Sequence, residues 1–233
     1  MAESTNTLPP DLKARLKSAY DAIAPTYNTR LGTVLDHIRL DYLARLLSLL
    51  NATGQEEAKV LELGCGAGIP STKAVLENAT PKIHVTANDL SSTQIGLARE
   101  NLAEFAEKGR VELIEGDMLQ LDFPPSSFDA VTGFYSIIHL PRAEQTLLMQ
   151  KIATWLKPGG YFLANFAAEE SEHGVNEKWL GEEEGWMYWS AWGAEGSVKM
   201  VGEAGLEVLV REVRESNVDA TFLWIIGRKG GGG

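Results

Sequence analysis

The sequence VLELGCGAGIPST, residues 60–72, decides the fold, because a short apolar run ends in three glycines at every second position. Glycine has no Cβ, so the backbone at Gly64, Gly66 and Gly68 can adopt positive φ and approach a neighbour or a ligand closely. These residues predict a buried strand, a loop that allows close approach, and a helix that begins near Pro70.

Outward from this stretch, the apolar pattern alternates between helix-like and strand-like segments. One helix is predicted at 10–24, ended by Pro25, and a second has apolar residues at three- and four-residue steps: Leu31, Leu35, Ile38, Tyr42, Leu46 and Leu50. Strands then alternate with helices predicted at 70–79, 92–107, 142–156 and near 193–204. An irregular tryptophan-rich segment comes before the last helix, and two strands that can pair antiparallel follow it.

This alternation predicts an α/β fold with a doubly wound, Rossmann-like, seven-stranded sheet, mostly parallel with one antiparallel strand. We expect residues 1–50 to form an N-terminal helical lid on a domain that spans 51–229. Within that domain, 167–192 is interpreted as an insertion that covers the substrate, and 230–233 as a disordered tail. In doubly wound sheets ligands bind beyond the carboxyl ends of the strands, where the glycine loop is predicted to lie.

Composition and charge exclude several classes of function. The chain has 233 residues, of which 44% are hydrophobic and 23% charged, as in ordinary globular domains. Its formal net charge of −11 disfavours binding to nucleic acid or to anionic lipid, and no stretch approaches the length of a membrane span. We expect a cytoplasmic monomer or homodimer. Cys65 is the only cysteine and His173 has no ligand-spaced partner, so no metal site is expected.

The spacing of the glycines excludes two common cofactor motifs. A dinucleotide fingerprint needs a third glycine five residues after the first. That position holds Ile69 when the count starts at Gly64 and Ser71 when it starts at Gly66. A phosphate-binding loop needs a glycine directly before its lysine, and Lys73 does not follow one. The pattern that remains is an acidic residue, Glu62, followed by glycines at every second position. This pattern contains no feature that would bind a pyrophosphate.

Five segments in order resemble the motifs of the class I S-adenosylmethionine-dependent methyltransferases. They are LELGCGAG after the first strand, ANDLS at the end of the second, EGDML at the third, FDAVTGFYSIIHLP at the fourth, and LKPGGYFL at the entry to the fifth. The resemblance runs from about residue 59 to residue 160. It implies S-adenosylmethionine as cofactor and a small-molecule methyltransferase as the class of enzyme.

The resemblance also implies residues that hold the cofactor. The glycine loop would lie against its methionyl and ribose parts, with the positive end of the following helix near the carboxylate. Asp89 would accept hydrogen bonds from both ribose hydroxyls, unless it serves only as an acid at the N-terminus of the next helix. Leu90 and Met118 would lie on either side of the adenine, with Asp117 near its amine. Glu62 would order the loop or hold the ammonium, and the backbone carbonyl of Phe134 would accept a hydrogen bond from the ammonium. The last candidate is a lid residue, Tyr27. Met118 as ordinary core filler is the alternative for that residue.

Catalysis asks little of the protein, because the methyl donor is already activated and alignment supplies most of the rate. His139, just beyond the fourth strand, is the candidate base; the alternative is that it caps the next helix or orients a neighbour. Cys65 is not expected to act as a nucleophile. The acceptor pocket is expected to draw on residues around the lid, the fourth strand and the tryptophan-rich segment: Tyr20, Arg30, Tyr135, Trp186, Tyr188 and Trp189.

These features predict methyl transfer to a small-molecule acceptor, with oxygen favoured as acceptor atom and nitrogen or sulfur open. The acceptor could be apolar, aromatic or, because 169–192 is rich in acids, cationic. The alternative for 169–192 is that its aromatic rings pack against the edge of the sheet and do not contact the acceptor. Two other functions stay open: use of the cofactor without methyl transfer, and noncatalytic binding of the cofactor.

Overall fold

The predicted seven-stranded sheet is present in the computed structural model, which describes residues 8–32, 36–215 and 220–231. Its strands are β1 (Glu57–Leu63), β2 (Lys82–Asp89), β3 (Val111–Glu115), β4 (Phe128–Gly133), β5 (Leu156–Ala167), β8 (Leu206–Glu215) and β9 (Thr221–Lys229). They lie in the order β3-β2-β1-β4-β5-β9-β8, and β9 is antiparallel to both of its neighbours while the other adjacent pairs are parallel.

Helices cover both faces of the sheet. They are α1 (Leu12–Tyr27), α2 (His37–Asn51), α3 (Ser71–Leu76), α4 (Ser92–Asn101), α5 (Ala103–Glu107), α6 (Arg142–Trp155) and α7 (Gly193–Glu203). Side chains of α2 to α5, such as Tyr42 and Phe105, pack in one core cluster, and those of α6 and α7, such as Trp155 and Val201, pack in another. Each face of the sheet therefore has its own apolar core. No helix in the described ranges is both long and apolar enough to cross a bilayer.

The order of the strands places the ligand crevice. β1 lies between β2 and β4, so the chain winds outward from β1 in both directions. The connections that leave the carboxyl ends of β1 and β4 diverge to opposite faces and leave a crevice between them. The glycine loop after β1 borders this crevice.

Four local predictions were wrong. Leu31, expected in the second helix, lies in a π-helical turn that comes before α2 begins at His37. Pro25 does not end α1, which continues to Tyr27 and into a π-helical turn, Asn28–Gly32; burial of Ile23 and Ala24 holds the helix despite the hydrogen bond that proline lacks. The helix predicted at 92–107 is divided into α4 and α5 at Leu102.

The tryptophan-rich segment is not irregular, because β6 (Glu170–Asn176) and β7 (Met187–Trp192) form a separate antiparallel sheet. A short helical turn, Trp179–Gly181, lies between these two strands. Leu35, expected in the second helix, and residues 232–233 of the expected tail lie outside the described residues. The division into a lid, a core domain and an insertion remains a prediction.

Candidate functional site

The three glycines after β1 all have positive φ, between 55° and 75°, but they differ in what surrounds them. A Cβ on Gly64 would lie 2.2 Å from the Cβ of Ser136, and one on Gly68 would lie 2.6 Å from Leu102 Cδ1. A Cβ on Gly66 would meet no atom within 4 Å. Packing therefore requires glycine at Gly64, a side chain at Gly68 would displace the side chain of Leu102, and Gly66 borders open space.

Asp89 ends β2 and faces the glycine loop. Its Oδ2 accepts a hydrogen bond from the Gly66 backbone N–H at 2.8 Å, and its Oδ1 accepts one from the Ser91 N–H at 2.9 Å. Burial raises the pKa of Asp89, and these backbone donors oppose that rise. Helix α4 is capped by Ser91, whose Oγ accepts from the Gln94 N–H. Each carboxylate oxygen of Asp89 keeps capacity for a further donor.

A cavity lies between the glycine loop, Asp89 and α1, with an open volume of about 690 Å³ that includes the solvent at its mouth, and we call it the strand-end cavity. Eight of the ten residues expected at the cofactor line it: Tyr27, Gly64, Gly66, Asp89, Leu90, Asp117, Met118 and Phe134. Glu62 and Gly68 are not among its lining residues.

Glu62 lies behind the glycine loop instead. It is 2% exposed, and its Oε2 accepts a hydrogen bond of 2.6 Å from the hydroxyl of Thr72 at the start of α3. Burial raises the pKa of Glu62 to about 7, although the Thr72 hydroxyl and the charge of Arg39 oppose the rise. The contact joins the end of β1 to α3 and so holds the two ends of the loop together.

Helix α1 crosses the strand-end cavity and is tied to its far side by charged groups. Lys13 lies 2.6 Å from Asp117 and 2.9 Å from Glu144 at the start of α6. Asp21 accepts hydrogen bonds from the Ser91 hydroxyl at 2.6 Å and from the Thr93 N–H at 3.1 Å. The helix is thus fixed to the chain segments that follow β2, β3 and β4.

A second cavity adjoins the first on the same face of α1, with an open volume of about 1170 Å³ that includes the solvent at its mouth, and we call it the aromatic cavity. Of the residues expected at the acceptor and the base, Tyr20, Arg30, Tyr135, His139 and Trp189 line it. Further lining comes from the rings of Tyr27, Trp179 and Phe222, together with other residues: Leu31, Asp36, Arg39, Ile138, Leu180 and Ala220.

Two of the residues expected at the acceptor lie elsewhere. Trp186 packs on the outer side of α1, with the guanidinium of Arg15 4.0 Å above its ring. The side chain of Tyr188 is buried away from both cavities, and only its backbone carbonyl reaches the site, at His139. Because alternate residues of a strand point to opposite faces, β7 places Trp189 in the cavity and turns Tyr188 away.

Four side chains line both cavities and form a shared wall: Tyr20, Tyr27, Tyr135 and His139. The Nδ1 of His139 is 2.8 Å from the carbonyl oxygen of Tyr188, which can only accept, so this nitrogen carries the proton of the neutral ring. Nε2 therefore accepts the hydrogen bond of 2.8 Å from the Tyr20 hydroxyl. Burial lowers the pKa of His139 to about 4, so the ring is neutral at physiological pH.

Several site residues had no signal in the sequence. Lys13 and Gln94 line the strand-end cavity, and Asp36 and Arg39 line the aromatic cavity. Gln94 is 1% exposed, and its Oε1 accepts from Asn28, while its Nε2 has no hydrogen-bond partner in the part of the chain that the structure describes. Nothing in the spacing of these residues distinguishes them from ordinary helix residues, because their neighbours come from distant segments. Cys65 is buried, and burial raises the pKa of its thiol well above the ordinary value, so it remains a thiol.

Comparison with known proteins identifies related chains. Residues 60–160 match the family model described as a methyltransferase domain. A demethylmenaquinone methyltransferase of Listeria monocytogenes is 29% identical over 146 residues, which are 63% of this chain and 59% of that protein. The matched region thus spans less than two thirds of the curated relative.

Two solved structures share the fold across nearly the whole chain. The 1,6-didemethyltoxoflavin-N1-methyltransferase of Burkholderia thailandensis has a TM-score of 0.72 and 17% identity, covering 98% of this chain and 93% of its own. The (4+2)-cyclase SpnF also has a TM-score of 0.72, with 19% identity, covering 94% of this chain and 97% of its own. At these identities the likeness shows the fold alone.

Proposed function

We propose that this chain, of which residues 60–160 match a methyltransferase-domain model, is a class I S-adenosylmethionine-dependent methyltransferase that methylates a hydroxyl oxygen of a small aromatic acceptor. The observation that carries the proposal is the shared wall, because it separates a cavity suited to the cofactor from one suited to an aromatic ring. Methyl transfer needs two ligands held side by side in one orientation, and adjoining cavities provide that arrangement.

The residues of the strand-end cavity fit S-adenosylmethionine. Gly66 leaves space where a side chain would intrude, and Asp89 has acceptor capacity for the ribose hydroxyls. The buried Nε2 of Gln94 is a donor that has no hydrogen-bond partner among the described residues, and a ligand in this cavity could supply an acceptor for it. Leu90 and Met118 supply apolar surface for the adenine. When bound, the cofactor supplies a methyl group activated by a cationic sulfonium.

His139 presents a proton acceptor to the shared wall. Its Nε2 already accepts a hydrogen bond from the Tyr20 hydroxyl. The hydroxyl of the methyl-accepting substrate must therefore replace the Tyr20 hydroxyl at Nε2 or hydrogen-bond to the Tyr20 oxygen. With a pKa of about 4, the ring is too weak a base to remove a phenol proton beforehand. We assign His139 the role of orienting the acceptor hydroxyl, and of taking its proton once alkylation of the oxygen has made that proton acidic.

The aromatic cavity fits an aromatic acceptor better than a cationic one. Its walls carry the rings of Tyr27, Trp179 and Trp189, which favour burial of a flat apolar molecule. The charged residues that line it are two arginines, Arg30 and Arg39, and one acid, Asp36. The acids of 169–192 are mostly exposed and none is among its lining residues. An excess of positive charge disfavours a cation.

The test combines calorimetry and a transfer assay. We expect the protein to bind S-adenosylhomocysteine and to move label from methyl-labelled S-adenosylmethionine to members of a panel of hydroxylated aromatic compounds. Matched amino and thiol analogues in the panel decide the acceptor atom. Binding without transfer to any acceptor would favour a protein that uses or holds the cofactor without methylation, a function raised by the fold shared with a cyclase. Failure to bind would reject the proposal.

A further inference from the structure

Strand β8 forms one edge of the seven-stranded sheet. It pairs with β9 on one side and has no strand on its other side among the residues that the structure describes. A free edge presents a row of backbone N–H and C=O groups that can pair with another strand. Leu209 and Val213 of this strand are 42% and 51% exposed, so apolar side chains accompany the open backbone. The edge can therefore accept a further strand.

The last part of β8 is regular, because its register with β9 is continuous from Val210 to Glu215. Glu212 faces α2, since its carboxylate accepts hydrogen bonds from Tyr42 at 2.6 Å and from Arg45 at 3.0 Å. Side chains alternate along a strand, so Arg214 shares this face. The opposite face carries the other side chains of this stretch: Arg211, Val213 and Glu215. Each face thus has one acid and one base.

A second copy of β8, paired antiparallel and centred on Val213, brings these acids and bases together. In this register each residue faces the one that lies equally far from Val213 on the other side. Arg211 then faces Glu215 of the second copy, and Glu212 faces Arg214 of the second copy. A two-fold axis repeats both pairs and sets Val213 against its own equivalent. Opposite charges directly across two strands favour such a pairing.

The neighbouring registers are less favourable. Centring the pair on Glu212 or on Arg211 sets that residue against its own copy, and like charges directly opposite each other disfavour pairing. Centring it on Leu209 places the irregular register between Val208 and Val210 inside the interface. Such an irregularity twists the edge and interrupts the ladder of hydrogen bonds.

The other edge of the sheet, β3, lacks this complementarity. Its charged residues are two acids, Glu112 and Glu115, and it has no base. A second copy of β3 would therefore gain no ion pair along this strand. Charge complementarity selects β8, and within β8 it selects the register centred on Val213.

We propose that the chain forms a homodimer in which the β8 strands of the two protomers pair antiparallel about Val213 and join the two sheets into one. The same surface of each protomer meets its equivalent, as in the common two-fold symmetric dimers. No residue of β8 lines the strand-end cavity or the aromatic cavity. The dimer can therefore be tested independently of the proposed function.

The first experiment measures the dimer by sedimentation equilibrium over a range of protein concentrations. Arg211→Glu or Glu215→Arg alone sets like charges against each other at two symmetric positions. Each should weaken dimerisation by about tenfold or more. The double variant Arg211→Glu/Glu215→Arg exchanges the two charges and should recover the affinity of the wild type to within about threefold. Glu112→Arg, on β3, is the matched control and should have no effect.

The second experiment tests the register by cross-linking. Directly opposite residues of antiparallel strands have Cα atoms about 4.5–5.5 Å apart, which a disulfide can span. The native thiol, Cys65, is buried. Val213→Cys should therefore form a disulfide-linked dimer under mild oxidation, and the wild type should not. Leu209→Cys is the control, because its two copies would lie on the order of 25 Å apart in this register.

Three results would overturn the inference. The first is a wild type that sediments as a monomer at every concentration. The second is a dimer that the single charge reversals leave unchanged, or that the double variant does not restore. The third is cross-linking through Leu209→Cys in place of Val213→Cys, which would show a different register.

Discussion

The strand-end cavity and the aromatic cavity share a wall but are built in different ways. Main chain and short-range turns form much of the first: the loop after β1, the end of β2 and the turn after β3 all follow strands of one sheet. Side chains from α1, α2, β7 and β9 form much of the second. The first is therefore determined by the fold itself, whereas the second depends on which side chains the added segments carry.

This difference predicts that the two cavities respond differently to mutation. A change in the strand-end cavity should remove cofactor binding and with it all activity. A change in the aromatic cavity should alter the acceptor and leave cofactor binding intact. The variants below are ordered from the largest expected effect on binding or turnover to the smallest.

Gly66→Val should have the largest effect, because a branched side chain at φ +55° strains the loop and projects into open space at the cavity. We expect a loss of affinity for S-adenosylhomocysteine on the order of 100-fold or more by calorimetry. Gly109→Val is the control, since Gly109 has φ +64° and open space but lies far along the chain, after α5. If both variants bind equally well, Gly66 does not border the cofactor.

Asp89→Asn should weaken the cofactor by about 10- to 100-fold, because an amide replaces a carboxylate that accepts hydrogen bonds on both oxygens. Affinity is measured for S-adenosylhomocysteine and for adenosine, which share the ribose, and both should fall together. A selective loss for only one of them would place the carboxylate away from the ribose hydroxyls.

Trp189→Ala and Trp186→Ala separate the aromatic cavity from the outer side of α1. Trp189 lines the cavity, and its loss should raise the acceptor KM by about tenfold, the effect of one buried aromatic contact, with cofactor affinity unchanged. Trp186 packs against Arg15 outside the cavity, so its removal should lower stability and leave KM unchanged. Equal KM values in the two variants would contradict this placement.

Glu62→Gln should have the smallest effect on function and a clear effect on stability. The pKa of Glu62 is raised from 4.5 to about 7, so between these values the folded state binds more protons than the unfolded state, and stability falls as pH rises. The pKa of His139 is lowered from 6.5 to about 4, so between these values the unfolded state binds more protons, and stability falls as pH falls.

The two contributions oppose each other between about pH 4.5 and 6.5. Urea unfolding of the wild type should therefore show little pH dependence from these groups in that window. In Glu62→Gln the His139 contribution is left alone, and the free energy of unfolding should rise by about 3 kcal/mol from pH 4 to 6.5. A variant with the same pH profile as the wild type would show that Glu62 is not held protonated.

The sequence predicts those parts of the site whose residues lie next to a recognisable strand or helix, and it does not predict those that depend on contacts with distant segments. The glycine loop, Asp89 and Met118 are each adjacent in sequence to a strand that the apolar pattern reveals, so their meeting at one edge of the sheet follows from the fold. Arg39 and Gln94 carry no such signal, because their roles arise from contacts with segments far along the chain.

The tryptophan-rich segment shows that composition can indicate the kind of surface without indicating which residues face it. Its composition indicated an aromatic wall, but only the pairing of β6 with β7 decides that Trp189 faces the cavity while Tyr188 faces away. A shift of one residue in that register would exchange the two faces. Composition cannot specify a register, so the prediction that Trp186 contacts the acceptor was wrong, and Trp186 lies outside the aromatic cavity.

By itself, the sequence determined the alternation of strands and helices, the glycine loop and the acid after the second strand, because periodicity and turn chemistry act over a few residues. Only the tertiary structure decided which glycine borders open space, that the neutral His139 accepts from Tyr20, and that Arg39 lines the aromatic cavity. Those properties depend on burial and on partners from distant segments, which the chain acquires only when it packs.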